Sequence, residues 1–250
     1  MIDKFKNNSK TNIKVIIIIL IIIATFKVLY NLNSNCIIET KDENIKETIS
    51  LSAVVSQEDY VLQRINEKYK NSNIEVYYPV TKYEVLNKEV HNIIDTKISK
   101  FKESIKDNVE YSMFINFDLY KYDSYIGFVF HVLEDVAGLH PNTYIFVVNY
   151  NIKDNYIINI DTLVSKNNNI LNLMSKYAYT TLLNNDKFKE INMPYMLASG
   201  TKAIKTNFKN FTFTKEGLTV FFEKYQIAPY AYGEFWISIP YLELNLTINE

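Results

Sequence analysis

Residues 110–135 read EYSMFINFDLYKYDSYIGFVFHVLED, and the way this stretch divides decides the fold. EYSMFINFDLYKY and SYIGFVFHVLED are strand-like runs rich in aromatic and β-branched residues, broken at Asp123-Ser124 by a turn-forming pair. NTYIFVVNYNI and YIINI follow, with Lys153-Asp154-Asn155 as the next break. Strands this closely spaced, with short turns, predict an antiparallel meander over 110–160. Upstream, DYVLQRINEKY and NIEVYYPVT read as two strands around the turn signal KNSN. Between them and the meander, Val85, Leu86, Val90, Ile93, Ile94, Ile98, Phe101 and Ile105 recur at three- and four-residue steps, which predicts an amphipathic helix. Thr81 with Glu84 three residues on has the pattern of a capping box. Lys88, Asp95, Lys102 and Glu103 fall on the opposite, solvated face. Downstream, NILNLMSKYAYTTLLN (169–184) predicts a second helix, MLASGTKA a loop, and FTFT, GLTVFFE and FWISIP further strands. The order strands, helices, strands argues an α+β domain: an antiparallel sheet with helices packed on one face, preceded by one N-terminal transmembrane helix.

The bulk numbers fit that reading. The chain has 250 residues, 48% hydrophobic and 22% charged, with 20 Tyr and 15 Phe. That is a globular composition with many half-wet strand positions. Residues 1–32 carry five Lys and one Asp, a net +4, so the body from residue 33 carries −5 of the total −1. This balance excludes a nucleic-acid-binding protein and suits a cationic partner.

The N-terminus sets the expected compartment. Four Lys precede VIIIILIIIATF (15–26), and Ile13 to Leu32 is long enough to span a bilayer if Lys27 snorkels to the outer interface. The preceding lysines orient the N-terminus inward. KVLYNLNSNC after the run offers no pair of small residues for cleavage, so the reading is an uncleaved signal anchor. The expected organisation is a short cytoplasmic tail at 1–14, the anchor at 15–32, a polar stalk at 33–58 and an extracellular domain at 59–250. The only cysteine, Cys36, lies in the stalk, so the domain has no internal disulfide. An intermolecular bridge, a lipidated thiol and an inert one all fit it.

Catalytic signatures are missing. His131, Glu134, Asp135 and His140 follow one another closely, but in a strand and after a glycine turn, at no known metal-ligand spacing. His91 flanks the helix's apolar face. Ser199-Gly200 has no nucleophile-elbow context, and five glycines in total leave no phosphate-binding loop. Glu223, Glu234 and Glu134-Asp135 read as solvated strand ends rather than a glycosidase pair. The expectation is therefore a protein that is not an enzyme and uses no metal or cofactor.

FFEKYQIAPYAYGEFWISIP (221–240) is the most unusual segment. LTVFFEKY and EFWISIP read as strands, with QIAPYAYG connecting them. Pro229 fixes the backbone and Gly233 frees it at re-entry. Ile227, Tyr230 and Tyr232 are expected to pin the loop, and Phe221, Phe235 and Ile237 to face the core. Its aromatics suit an interface. The candidate binding residues are Tyr225, Pro229, Tyr230, Tyr232 and Trp236, with His140.

Three sets of residues carry a family resemblance: Tyr78-Pro79 before the helix, Gly138-Leu139-His140, and Tyr225 with Ala228-Pro229-Tyr230-Ala231-Tyr232-Gly233. Over roughly residues 60–245 the chain resembles an extracellular domain family of Gram-positive bacteria, a domain of unknown function. That domain is shared by lysozyme-sensing (RsiV-like) anti-sigma factors and a peptidoglycan N-acetylglucosamine deacetylase of the PdaC type. The resemblance implies a membrane-anchored extracellular domain of the cell envelope that recognises lysozyme or peptidoglycan, here with neither output module. A peptidoglycan-modifying enzyme, or an accessory subunit of an envelope complex, is the alternative.

Overall fold

β3 (Tyr111–Tyr122) and β4 (Tyr125–Val136) pair antiparallel from Tyr111↔Val136 to Tyr122↔Tyr125, leaving Asp123 and Ser124 as the whole turn. Asp123 adopts φ +50, the left-handed conformation that a tight hairpin needs and Asp tolerates. β5 (Asn142–Asn151) and β6 (Tyr156–Ile158) extend the meander in the same antiparallel sense. β1 (Val61–Tyr69) and β2 (Ser72–Val80) form a separate hairpin around Lys70-Asn71, with Lys70 at φ +52. These elements belong to a computed structural model that describes residues 59–106, 109–136 and 141–246. The expected tail, anchor and stalk, with Cys36, and the candidate residue His140 lie outside the described residues. Among the described residues, no helix is long and apolar enough to cross a membrane.

The fold is α+β, but its large sheet is mixed rather than antiparallel. Six strands lie in the order β1-β2-β3-β4-β5-β6, and β2 runs parallel to β3 from Ser72↔Tyr111 to Val76↔Ile115. The cause is the helix between them, α1 (Glu84–Ser104). Its 21 residues, at about 1.5 Å each, carry the chain back to the end from which β2 started, so β3 must run the same way. The start of α1 also differs from expectation. Thr81 does not cap the helix; its Oγ1 accepts from the Tyr83 amide (3.0 Å), and its backbone N–H and hydroxyl donate to Asn87 Oδ1. Asn87 returns a bond to the Thr81 carbonyl (2.7 Å), so an early helical side chain holds the turn.

A second, three-stranded antiparallel sheet, β7 (Phe211–Thr214), β8 (Gly217–Phe222) and β9 (Phe235–Ile239), is separate from the first. It changes the layering that the sequence predicts. α1 covers one face of the large sheet through Leu86, Val90, Ile94, Ile98 and Phe101, which pack with Ile126, Phe128, Phe130 and Val132 of β4. β7 packs against β3, β4 and β5, and its contact falls on the face of β4 opposite α1. A Cβ on Gly127 would lie 1.9 Å from Thr212 Oγ1 and 2.7 Å from Asn149 Oδ1, so only glycine lets the sheets approach this closely. Helices therefore do not all lie on one face of a single sheet.

Four shorter helices follow the meander: α2 (Ile160–Lys166), α3 (Ile170–Leu183), α4 (Asp186–Ile191) and α5 (Pro194–Gly200). α2 begins where the strand reading of YIINI ended, because Asn159 and Thr162 form a reciprocal capping box. Ser199 and Gly200 are helical rather than in a loop, with Pro194 at the first turn as its fixed φ favours. Ile170, Met174, Ala178 and Leu182 of α3 form a second core with Phe211, Phe213, Leu218, Val220, Phe222 and Ile237. Each fully buried large apolar side chain, such as Phe128 or Phe222, contributes about 1.5–3 kcal/mol.

Candidate functional site

The connection between β8 and β9 is a built corner. The Gln226 amide N–H donates to the Glu223 carbonyl (3.1 Å), closing a turn that puts Tyr225 at φ +67. The Gln226 side chain then ties three backbone points together. Its Oε1 accepts from the Glu223 N–H (3.1 Å), and its Nε2 donates to the carbonyls of Gly200 (3.0 Å) and Asn207 (2.9 Å). α5 must come very close for this to happen, since a Cβ on Gly200 would meet the Gln226 carbonyl oxygen at 2.0 Å. Ile227 and Ala228 are buried behind the turn. Pro229 (φ −57) leads into a single 3₁₀ turn, Tyr230–Tyr232, and Gly233 leaves it at φ +80 with open space around its α-carbon.

Tyr225 and Tyr230 meet, with ring centroids 5.4 Å apart, and Lys224 Nζ lies 4.6 Å from the Tyr230 centroid. The Tyr230 hydroxyl donates to the Pro141 carbonyl (3.1 Å), which joins the corner to the chain directly after His140. Tyr225 is nevertheless 61% exposed. Tyr232 does not pin the loop; it is 40% exposed, and its carbonyl takes a bond from Lys187 Nζ (3.4 Å). Trp236, 66% exposed, sits opposite Phe221 across β8 and β9. Phe235 and Ile237 do face the core. Phe221 does not, because it shares the Trp236 face and packs its ring edge-on against Tyr120.

His131 and Glu134 diverge because they lie three residues apart on one strand, which puts them on opposite faces. His131 Nε2 bonds Asp118 Oδ2 at 2.9 Å. Burial alone lowers its pKa, but the hydrogen bond and charge of Asp118, with the charge of Glu234, outweigh burial and raise it. Glu134 instead accepts from the Tyr144 hydroxyl (2.8 Å). Among the described residues, no three His, Cys, Asp or Glu side chains cluster as a metal site would require. His91 packs edge-on against Tyr78, 5.0 Å between centroids.

The sequence reading missed a cleft of about 450 Å³, of mixed polar and apolar lining, between α1 and the joined ends of β4 and β5. Asn92, Ile93, Thr96, Lys97, Lys100, Phe101 and Ser104 line it from the helix, and Glu134 and Tyr144 from the sheet. Burial lowers the Lys97 pKa against the pull of Glu134, while burial and the Glu134 hydrogen bond raise that of Tyr144. Glu223, at the foot of the corner, acts electrostatically on both. The available signal was Lys97 itself, four residues from both Ile93 and Phe101 and so on the inward side of the helix.

Comparison with known proteins places the fold among a described class. Residues 149–242 match the family described as Protein of unknown function (DUF3298). Over 182 residues the chain is 26% identical to the peptidoglycan-N-acetylmuramic acid deacetylase PdaC of Bacillus subtilis, covering 68% of this chain. The chain spans 38% of the length of that curated relative. The sugar in its name is N-acetylmuramic acid, where the resemblance had implied N-acetylglucosamine. Two crystal structures of DUF3298 family proteins share the fold. The one from Pseudomonas aeruginosa PAO1 has TM-score 0.53 at 13% identity, covering 75% of this chain and 91% of its own. The one from Bacteroides fragilis has TM-score 0.51 at 15% identity, covering 77% and 94%. These matches support the DUF3298 and PdaC side of the family resemblance.

Proposed function

We propose that this protein is a binding module of the cell envelope, held to the membrane by residues 15–32 with its domain outside the cell. It recognises lysozyme or a peptidoglycan component and performs no chemistry of its own. The observation that carries this reading is Tyr225. A bulky aromatic residue at φ +67 is strained, and here that strain holds a ring largely in solvent, on a corner fixed by Gln226 and Tyr230. Nothing in the packing of the core requires that ring, whereas rigid exposed aromatics are efficient recognition residues. The net −5 of the body favours a cationic partner by steering its approach. The deacetylase relative supports a cell-wall setting.

The test measures binding of the full-length protein to lysozyme by biolayer interferometry and to purified sacculi by co-sedimentation. One of the two is expected to bind, and Tyr225→Ala to weaken it about tenfold, the loss of roughly 1.4 kcal/mol, without lowering the melting temperature. Failure to bind either overturns the reading. Release of acetate or sugar from sacculi favours the alternative, a peptidoglycan-modifying enzyme.

A further inference from the structure

The cleft beside α1 is lined by two ammonium groups and one carboxylate, Lys97 and Lys100 with Glu134. Lys97 is half-buried, with its Nζ 4.5 Å from the Tyr144 ring centroid and 4.6 Å from that of Phe146. It forms no salt bridge among the described residues. The charged groups that act on it are Glu134, Lys209, Glu223 and Lys100. Both carboxylates are already engaged. Glu134 holds the Tyr144 hydroxyl, while Glu223 takes the Asn210 amide (2.9 Å) and the Lys209 ammonium (3.4 Å). Three ammonium groups thus face two occupied carboxylates, and the uncompensated positive charge falls at the cleft, on Lys97 and Lys100.

We propose that this cleft binds one carboxylate group of a small polar molecule, such as the C-terminal carboxylate of a peptide, with Lys97 as its principal partner and Lys100 beside it. A single negative charge neutralises the cluster. A phosphate dianion would bring a second charge against Glu134. The two aromatic rings hold the Lys97 ammonium in place, so little freedom is lost when the anion arrives. Asn92, Thr96 and Ser104 add groups suited to a peptide's amides, and Ile93 and Phe101 supply the apolar part of the lining. The Thr96 and Ser104 hydroxyls donate to the helix carbonyls of Asn92 and Phe101 (both 2.7 Å), so their oxygens remain as acceptors toward the cleft. The site is distinct from the Tyr225 corner and does not require that corner to recognise lysozyme or peptidoglycan.

The experiment titrates the full-length protein at low ionic strength with N-acetylalanine, with its neutral methylamide and with inorganic phosphate. Isothermal calorimetry and thermal unfolding are the readouts. N-acetylalanine is expected to bind at one site with a dissociation constant on the order of millimolar and to raise the melting temperature, and the methylamide to do neither. Lys97→Met is expected to weaken binding at least tenfold; Lys202→Met, at an exposed lysine elsewhere, is expected to leave it unchanged. If Lys97→Met does not fold, Lys100→Met must weaken binding severalfold. Undetected binding of N-acetylalanine, equal binding of the methylamide, preference for phosphate, or full binding by the lysine variants overturns the proposal.

Discussion

Gln226 shows how a polar side chain without chemistry can matter as much as a catalytic one. It satisfies one backbone donor and two acceptors that converge from α5, the turn before β7 and the end of β8. Replacing it with Leu leaves those groups partly buried and unpaired. We expect Gln226→Leu to cost about 2–4 kcal/mol in urea unfolding, well above a typical surface substitution. His131 makes a smaller, pH-dependent contribution. Its folded pKa lies above the usual 6.5, so the folded state keeps its proton to higher pH than the unfolded chain does. The resulting stabilisation is complete below about pH 6.5 and is lost as pH rises through the folded value. Stability should therefore fall as pH rises above about 6.5, by less than about 1 kcal/mol for so exposed a pair. Asp118→Asn should flatten that slope when unfolding is followed by circular dichroism across the range.

At the scale of elements, α5 and the corner depend on each other through one missing side chain. Gly200→Ala sets a methyl group 2.0 Å from a backbone oxygen, which neither element can yield cheaply. A loss of at least about 2 kcal/mol is expected, measurable as a lower urea midpoint with an unchanged slope. The elements also show which features of the fold were legible. The meander was readable because Asp123-Ser124 and Lys153-Asp154-Asn155 punctuate runs long enough to be nothing but strands. The parallel join was in view as well, since a helix between two neighbouring strands reverses the chain, yet the short turns elsewhere suggested a uniform antiparallel sheet. The second sheet was not legible. FTFT and GLTVFFE look the same whether they extend a sheet or pack across one, and only the contact at Gly127 decides. The site followed the same division. The aromatic corner stood out in sequence through Pro229 and Gly233. The Lys97 cleft did not, because Glu134 and Tyr144 meet it only after β4 and β5 pair.

For the whole molecule, the close fit of Thr212 over Gly127 ties the two apolar cores into one structure. The core strands β4 and β8 should therefore exchange their amide hydrogens through the same global opening, with equal free energies in native-state exchange. Separate values would show that the second sheet unfolds on its own. The parallel seam carries a different consequence, in the order of synthesis. The hairpin of β1 and β2 joins the rest of the large sheet through only the pairs Ser72↔Tyr111 to Val76↔Ile115. Its partner strand leaves the ribosome 31 residues after Val80, a delay on the order of seconds at ordinary translation rates. During that interval the free edge of β2 waits unpaired. The charged residues Arg64, Glu67, Lys68 and Glu75 on this hairpin suit that wait, because they discourage neighbouring nascent chains from pairing before β3 arrives.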